Sequence, residues 1–294
     1  MQWKPDWGLR ARMGVTMFLL FGLYIVFAGG ITLYTSGGPF IFIVLFGGFS
    51  IVQYYFSDTL TLKSMGAKTV SAEEYPDLHR MIERLSQQAD LPKPKVAVVD
   101  ENVPNAFATG RNQKNAAVAV TTGLLRTLDQ DELEGVLAHE LAHVKNRDMM
   151  VMTFASLLGT IAFMFVRWGA FFGGGRRGGN RGGGGIVVAI VLSLVVWILS
   201  YILMRALSRY REYSADRGAA AITGKPSALA SALVSISDGV ADIPDSDLRD
   251  EAEMNAFFII PLKSGIVGRL FATHPPTEKR IEQLRSLERE MESF

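Results

Sequence analysis

The chain has 294 residues, no cysteine, and 30 Lys+Arg against 29 Asp+Glu, for a formal charge of +1. A mean hydropathy of +0.20 is too apolar for an ordinary soluble enzyme, yet 20% charged residues are too many for membrane spans alone, so the apolar residues must be unevenly placed. Without cysteine there are no disulfides, thiolate nucleophiles or thiolate metal ligands, and the near-neutral balance speaks against a nucleic-acid partner.

No charged residue lies between Arg12 and Asp58. The polar, turn-prone Thr35-Ser36-Gly37-Gly38-Pro39 divides this run into predicted spans at 13–34 and 39–57, each near the roughly 20 residues needed to cross a hydrocarbon core. A cleaved signal peptide has a shorter apolar region and no second run behind it. Lys4, Arg10 and Arg12 before the hairpin and Lys63 and Lys68 after it place both flanks on the cytoplasmic side of the cell membrane.

Residues 58–148 read as globular sequence. Ser71-Ala72-Glu73-Glu74 is a capping box that predicts a helix through PDLHRMIERLSQQAD, ended by Leu91-Pro92-Lys93-Pro94. KVAVVD, VPNAFATG and AAVAVTTG then predict a small sheet. Asp129 to Glu132 is a second capping signal, opening the helix DELEGVLAHELAHVKNRD.

That helix contains His139-Glu140-Leu141-Ala142-His143. Residues four apart project from one helix face, so both imidazoles can grip one metal ion, while Glu140, about 100° round, can act as general base on an attacking water. Leu133, Val136, Leu137 and Leu141 give the helix an apolar stripe, which buries the pair. A catalytic zinc needs a third protein ligand. Met149 and Asn146 stand where a metzincin would have histidine and glycine, which excludes that class. His79, beside Arg80 and Glu83, reads as a solvated helix residue, and His274 stays open.

Uncharged runs at 149–166 and 186–204 predict a second hairpin within residues 149–206, its tip a flexible Gly/Arg-rich connector at 173–185. Residues 207–294 complete the globular part. There Glu212 and Asp216, four apart on the helix continuing from the last span, can share a face, one ligating metal and the other accepting the free N–H of a ligand histidine. A plain acidic patch among arginines is the competing reading. KPSALASALVSISDGV and PPTEKRIEQLRSLEREME predict two further helices, each with Pro near its first turn. Two crossings between His143 and Glu212 return the chain to the same side, where these residues can meet.

HELAH at 139–143, EYSAD at 212–216, PNAFATG at 104–110, THPPTEKRI at 273–281 and the order of the two hairpins together resemble the HtpX-type membrane metalloproteases, zincins related to the Ste-type CAAX prenyl proteases. The resemblance implies an α+β, mainly α, integral membrane protein with two transmembrane helical hairpins and a cytoplasmic gluzincin domain carrying a small β-sheet. It implies one Zn2+ per chain held by His139, His143 and Glu212, with Asp216 behind a ligand histidine and both termini in the cytoplasm. Residues Asn105, Ala106, Phe107 and Ala108 would lie beside the cleft as a substrate-binding edge strand, with ordinary packing as the alternative for Asn105 and Phe107. His274 would donate to the tetrahedral oxyanion or else cap the following helix. The substrates implied are membrane or misfolded proteins in quality control; the competing readings are a CAAX-type protease of prenylated peptides and a non-enzymatic zinc-containing scaffold or chaperone. A transporter lacks intramembrane charges to mark a pathway.

Overall fold

The computed structural model describes residues 7–8, 11–19, 22–23, 55–56, 58–149, 183–241 and 275–293, with backbone alone at 183–190, 192 and 193. The predicted spans at 13–34, 39–57 and 149–166 therefore lie wholly or largely outside the described residues, as do most of the 173–185 tip and His274.

The chain divides into two compact units, one of residues 1–6, 55–150 and 208–294 and the other of residues 7–54 and 151–207. In the first, β1 (Lys68–Thr69), β2 (Lys95–Val99), β3 (Ala106–Gly110) and β4 (Ala116–Thr121) form one sheet in the order β1-β2-β4-β3. β2 and β4 are parallel, and β1 and β3 are antiparallel edges. Around the sheet are α1 (Pro76–Gln88), α2 (Thr122–Thr127), α3 (Gln130–Asn146), α5 (Pro226–Ala241) and α6 (Thr277–Glu292). The three expected strands and the α3, α5 and α6 helices thus form where their sequence signals lie.

Side-chain alternation assigns the two faces of the sheet. Val96, Val98, Val118 and Val120 join Ile82 and Leu85 of α1 and Val136, Leu137 and Leu141 of α3 in the main core. Ala97, Val99, Phe107 and Ala119 form a smaller cluster with Met65. α1 begins later than its expected capping box. Glu74 does accept the Ser71 N–H at 2.8 Å, but Pro76 pushes Tyr75 out of helical geometry (φ −132°, ψ 66°) and itself becomes the first helical residue.

α4 is one helix from Gly183 to Thr223. It takes up Gly183 to Gly185 at the end of the expected connector, where the apolar run that follows extends helix back into the glycines. Counting only described side chains, no helix is long and apolar enough to cross a membrane; the uncharged run 186–204 of α4 is only partly among them.

Candidate metal centre

α3 is fixed at both ends. Asp129 Oδ1 accepts the Glu132 N–H at 2.8 Å, and Glu132 Oε2 accepts the Asp129 N–H at 3.2 Å, closing the expected capping box. The other Glu132 oxygen accepts the hydroxyls of Ser231 and Ser235 from α5 at 2.6 and 2.8 Å. Gly135 brings the two helices into close approach, since a Cβ there would stand 2.8 Å from the Leu229 backbone nitrogen. At the far end Arg147 is left-handed (φ 58°), which stops the helix and brings the Asp148 side chain to His143.

One turn apart on α3, the Nε2 atoms of His139 and His143 face each other at 3.1 Å. Glu212 of α4 completes a triangle, its Oε2 3.5 Å from His139 Nε2 and its Oε1 3.5 Å from His143 Nε2. All three residues are buried and form a candidate metal site. Donors bound tetrahedrally to zinc at about 2.0–2.1 Å stand roughly 3.3–3.5 Å apart, so both the donor types and the observed spacing fit zinc.

The remaining ring nitrogens are also held. His139 Nδ1 lies 3.0 Å from Asp216 Oδ1, so a proton on Nδ1 leaves Nε2 free to coordinate. His143 Nδ1 lies 2.7 Å from Asp148 Oδ2. Arg280 of α6, 1% exposed, donates from Nε to Asp216 Oδ2 at 2.9 Å and from Nη2 to Asp216 Oδ1 at 2.7 Å. Its Nη1 is 3.4 Å from Glu212 Oε2, and Arg211 Nε is 3.5 Å from Asp148 Oδ2.

This cluster attracts positive charge. Burial opposes a charged His139, but the carboxylates of Asp216 and Glu212 outweigh it and raise its pKa from 6.5 to about 9 in the metal-free chain. Burial also works against an ionised Asp216, yet Arg280 and His139 hold its pKa below the ordinary value. With neutral imidazoles and ionised acids, Glu140, Asp148, Glu212 and Asp216 stand, among the described residues, with the two guanidinium groups of Arg211 and Arg280. Two negative charges remain, matching a divalent cation.

Glu140 is buried beside the pair, and its pKa is raised chiefly by that burial. The Ala108 backbone N–H lies toward it and favours its ionised form. The β3–β4 register explains why that N–H is available. Thr121 donates to the Asn105 carbonyl at 2.9 Å, so 105, 107 and 109 face β4 with their hydrogen-bonding groups, while Ala106, itself buried, and Ala108 turn their amides away from it.

The structure therefore brings together five of the expected residues, His139, Glu140, His143, Glu212 and Asp216, with the strand holding Asn105 to Ala108 alongside. Asn105 and Phe107 are buried, Phe107 within the smaller core cluster, which fits the packing alternative for that side chain. His79 is half-buried and donates from Nε2 to the Val70 carbonyl at 3.1 Å, in place of the solvated position expected. Sequence reasoning missed Asp148, Arg211 and Arg280. Asp148 follows His143 by only five residues, but its approach depends on the left-handed Arg147, whereas Arg280 arrives from a helix distant in sequence.

The sequence matches peptidase family M48 over residues 72–288. It is 54% identical to the Protease HtpX homolog of Moorella thermoacetica, covering 99% of this chain and 98% of that protein. It is 44% identical to the Protease HtpX homolog of Pyrococcus furiosus, covering 97% and 98% respectively. The fold is similar to that in a crystal structure of S. mikatae Ste24p, with a TM-score of 0.56 at 17% identity; the likeness covers 92% of this chain, which spans 62% of that one. Since the M48 match takes in well over half of the sequence and every member of the buried cluster, this zinc metallopeptidase belongs to peptidase family M48.

Proposed function

We propose that the chain is a multi-pass membrane endopeptidase that cuts membrane or misfolded proteins from the cytoplasmic side, with Glu140 as general base and Asp216 positioning a zinc ligand. The observation that carries the reading is Glu140 itself, a buried carboxylate beside two imidazoles and within reach of a sheet edge. A purely structural zinc has no use for such a group. His139, His143 and Glu212 would hold the metal, which when bound supplies Lewis acidity toward a substrate carbonyl and acidifies water. Glu140, beside the two imidazoles, takes the proton from the attacking water and returns it to the leaving amine. The β3 edge would offer backbone hydrogen bonds to an extended peptide, holding it without reading its sequence. His274 remains a candidate donor to the oxyanion.

Two membrane hairpins, with 58–148 and 207–294 as the two parts of the catalytic domain, account for the uncharged runs. Val191, Leu194, Val195, Ile198 and Ile202 are exposed on α4, which suits lipid. The meeting of His143 with Glu212 supports an even number of crossings between them. The test is cleavage of unfolded casein by detergent-solubilised protein, prepared metal-free and reloaded with zinc. Glu140→Gln is expected to keep zinc and lose activity by about 10²-fold or more; normal cutting by this variant would refute the mechanism. Cleavage of a farnesylated peptide in preference to casein would instead favour the prenyl-protease reading.

A further inference from the structure

We infer that Asp148 is a positioning residue for His143, acting on that histidine as Asp216 acts on His139. The inference rests on reading His143 as a zinc ligand. The two histidines are supported alike: each Nδ1 meets a buried carboxylate, at 3.0 Å for His139 and Asp216 and at 2.7 Å for His143 and Asp148. Each carboxylate has an arginine beside it, Arg280 for Asp216 and Arg211 for Asp148. A carboxylate at Nδ1 fixes the proton there, directs the Nε2 lone pair inward and makes the ring a stronger donor.

Packing alone does not explain an acid at this position. Asp148 is 0% exposed, and its Oδ1 has no hydrogen-bond partner among the described residues. Arg211 approaches the other oxygen only at 3.5 Å. A buried charge so thinly compensated costs stability, and an asparagine would accept the same imidazole proton without that cost. The negative charge is what asparagine cannot supply. The backbone is also specialised to deliver it, because the left-handed Arg147 brings the Asp148 side chain to His143.

Position along the chain adds a second consequence. The chain leaves this unit after Met150 and re-enters at Ser208. Asp148 and Arg211 stand just inside the exit and the return, so their ion pair ties the two ends of that excursion beside a metal ligand.

The full-length protein in detergent tests this through zinc affinity, measured by competition with a chromogenic chelator, and the apparent melting temperature of the metal-free form. Asp148→Asn is expected to weaken zinc binding about 10–100-fold while the metal-free form melts at or above the wild-type temperature. Asp148→Ala is expected to weaken it at least as much; if that variant does not fold, Asp148→Asn still decides. Wild-type affinity in Asp148→Asn, or a loss of affinity that only tracks a fall in metal-free melting temperature, overturns the inference. His143→Ala serves as the separate control, since wild-type zinc affinity there would refute the ligand assignment itself.

Discussion

Arg280 holds Asp216 by two parallel hydrogen bonds, at 2.9 and 2.7 Å, on a carboxylate that also meets His139 Nδ1 at 3.0 Å. The guanidinium rests against the imidazole as well, its Nη2 3.4 Å from His139 Nε2 and 3.5 Å from Nδ1. α6 thus reaches the metal pocket through one side chain, and the planar fork of arginine suits a two-oxygen grip that a lysine cannot reproduce.

Removing this arginine leaves Asp216 and Glu212 with too little positive charge in a buried place. Arg280→Met is expected to destabilise the metal-free protein by about 3–5 kcal/mol, with Arg280→Lys in between. Denaturant unfolding of the two variants beside wild type checks the order; an unchanged midpoint for Arg280→Met would show that the contact carries no stability.

The metal-free protein should also lose stability as pH rises. The pKa of His139 is raised from 6.5 to about 9 on folding, so its stabilising contribution is complete below about pH 6.5 and lost as pH climbs through about 9. Zinc occupies the place of that proton and removes the dependence. Melting curves at pH 6.5, 8 and 9.5, with and without zinc, are expected to fall with pH only in the chelator-treated samples, and parallel curves would contradict the assignment.

Gly135 gives a prediction independent of the metal. Because a Cβ there would stand 2.8 Å from the Leu229 nitrogen and 3.0 Å from its Cα, α3 and α5 must part to admit one. Gly135→Ala is expected to cost about 1–3 kcal/mol despite the higher helix propensity of alanine. An unfolding midpoint at or above wild type would mean that the helices separate freely.

Local sequence signals located most of these elements. The Asp129–Glu132 box and the valine-rich segments act within a few residues, and α3, β2 and β4 formed where they predict. Tyr75 shows how such a signal is overridden: the Ser71–Glu74 contact formed, but the proline two residues beyond Glu74 decided where the helix starts. The metal donors were legible because four-residue spacing survives in any helix. Asp148 was hidden because its reach to His143 depends on the left-handed turn at Arg147, which nothing in that residue type announces. Arg280 was hidden because its partners lie 64 and 141 residues away, a distance over which periodicity carries no information.

The charge deficit of the pocket acts as a valence filter. Among the described residues, four carboxylates with two guanidinium groups are left two charges short, so sodium or potassium would under-neutralise this set and a trivalent ion would over-neutralise it. Only after that selection do the imidazole nitrogens matter, favouring zinc over magnesium and calcium, which prefer all-oxygen shells. Discrimination by charge thus comes largely from residues outside the ligand set, with Glu212 alone serving both roles, and discrimination among divalent ions from the imidazoles.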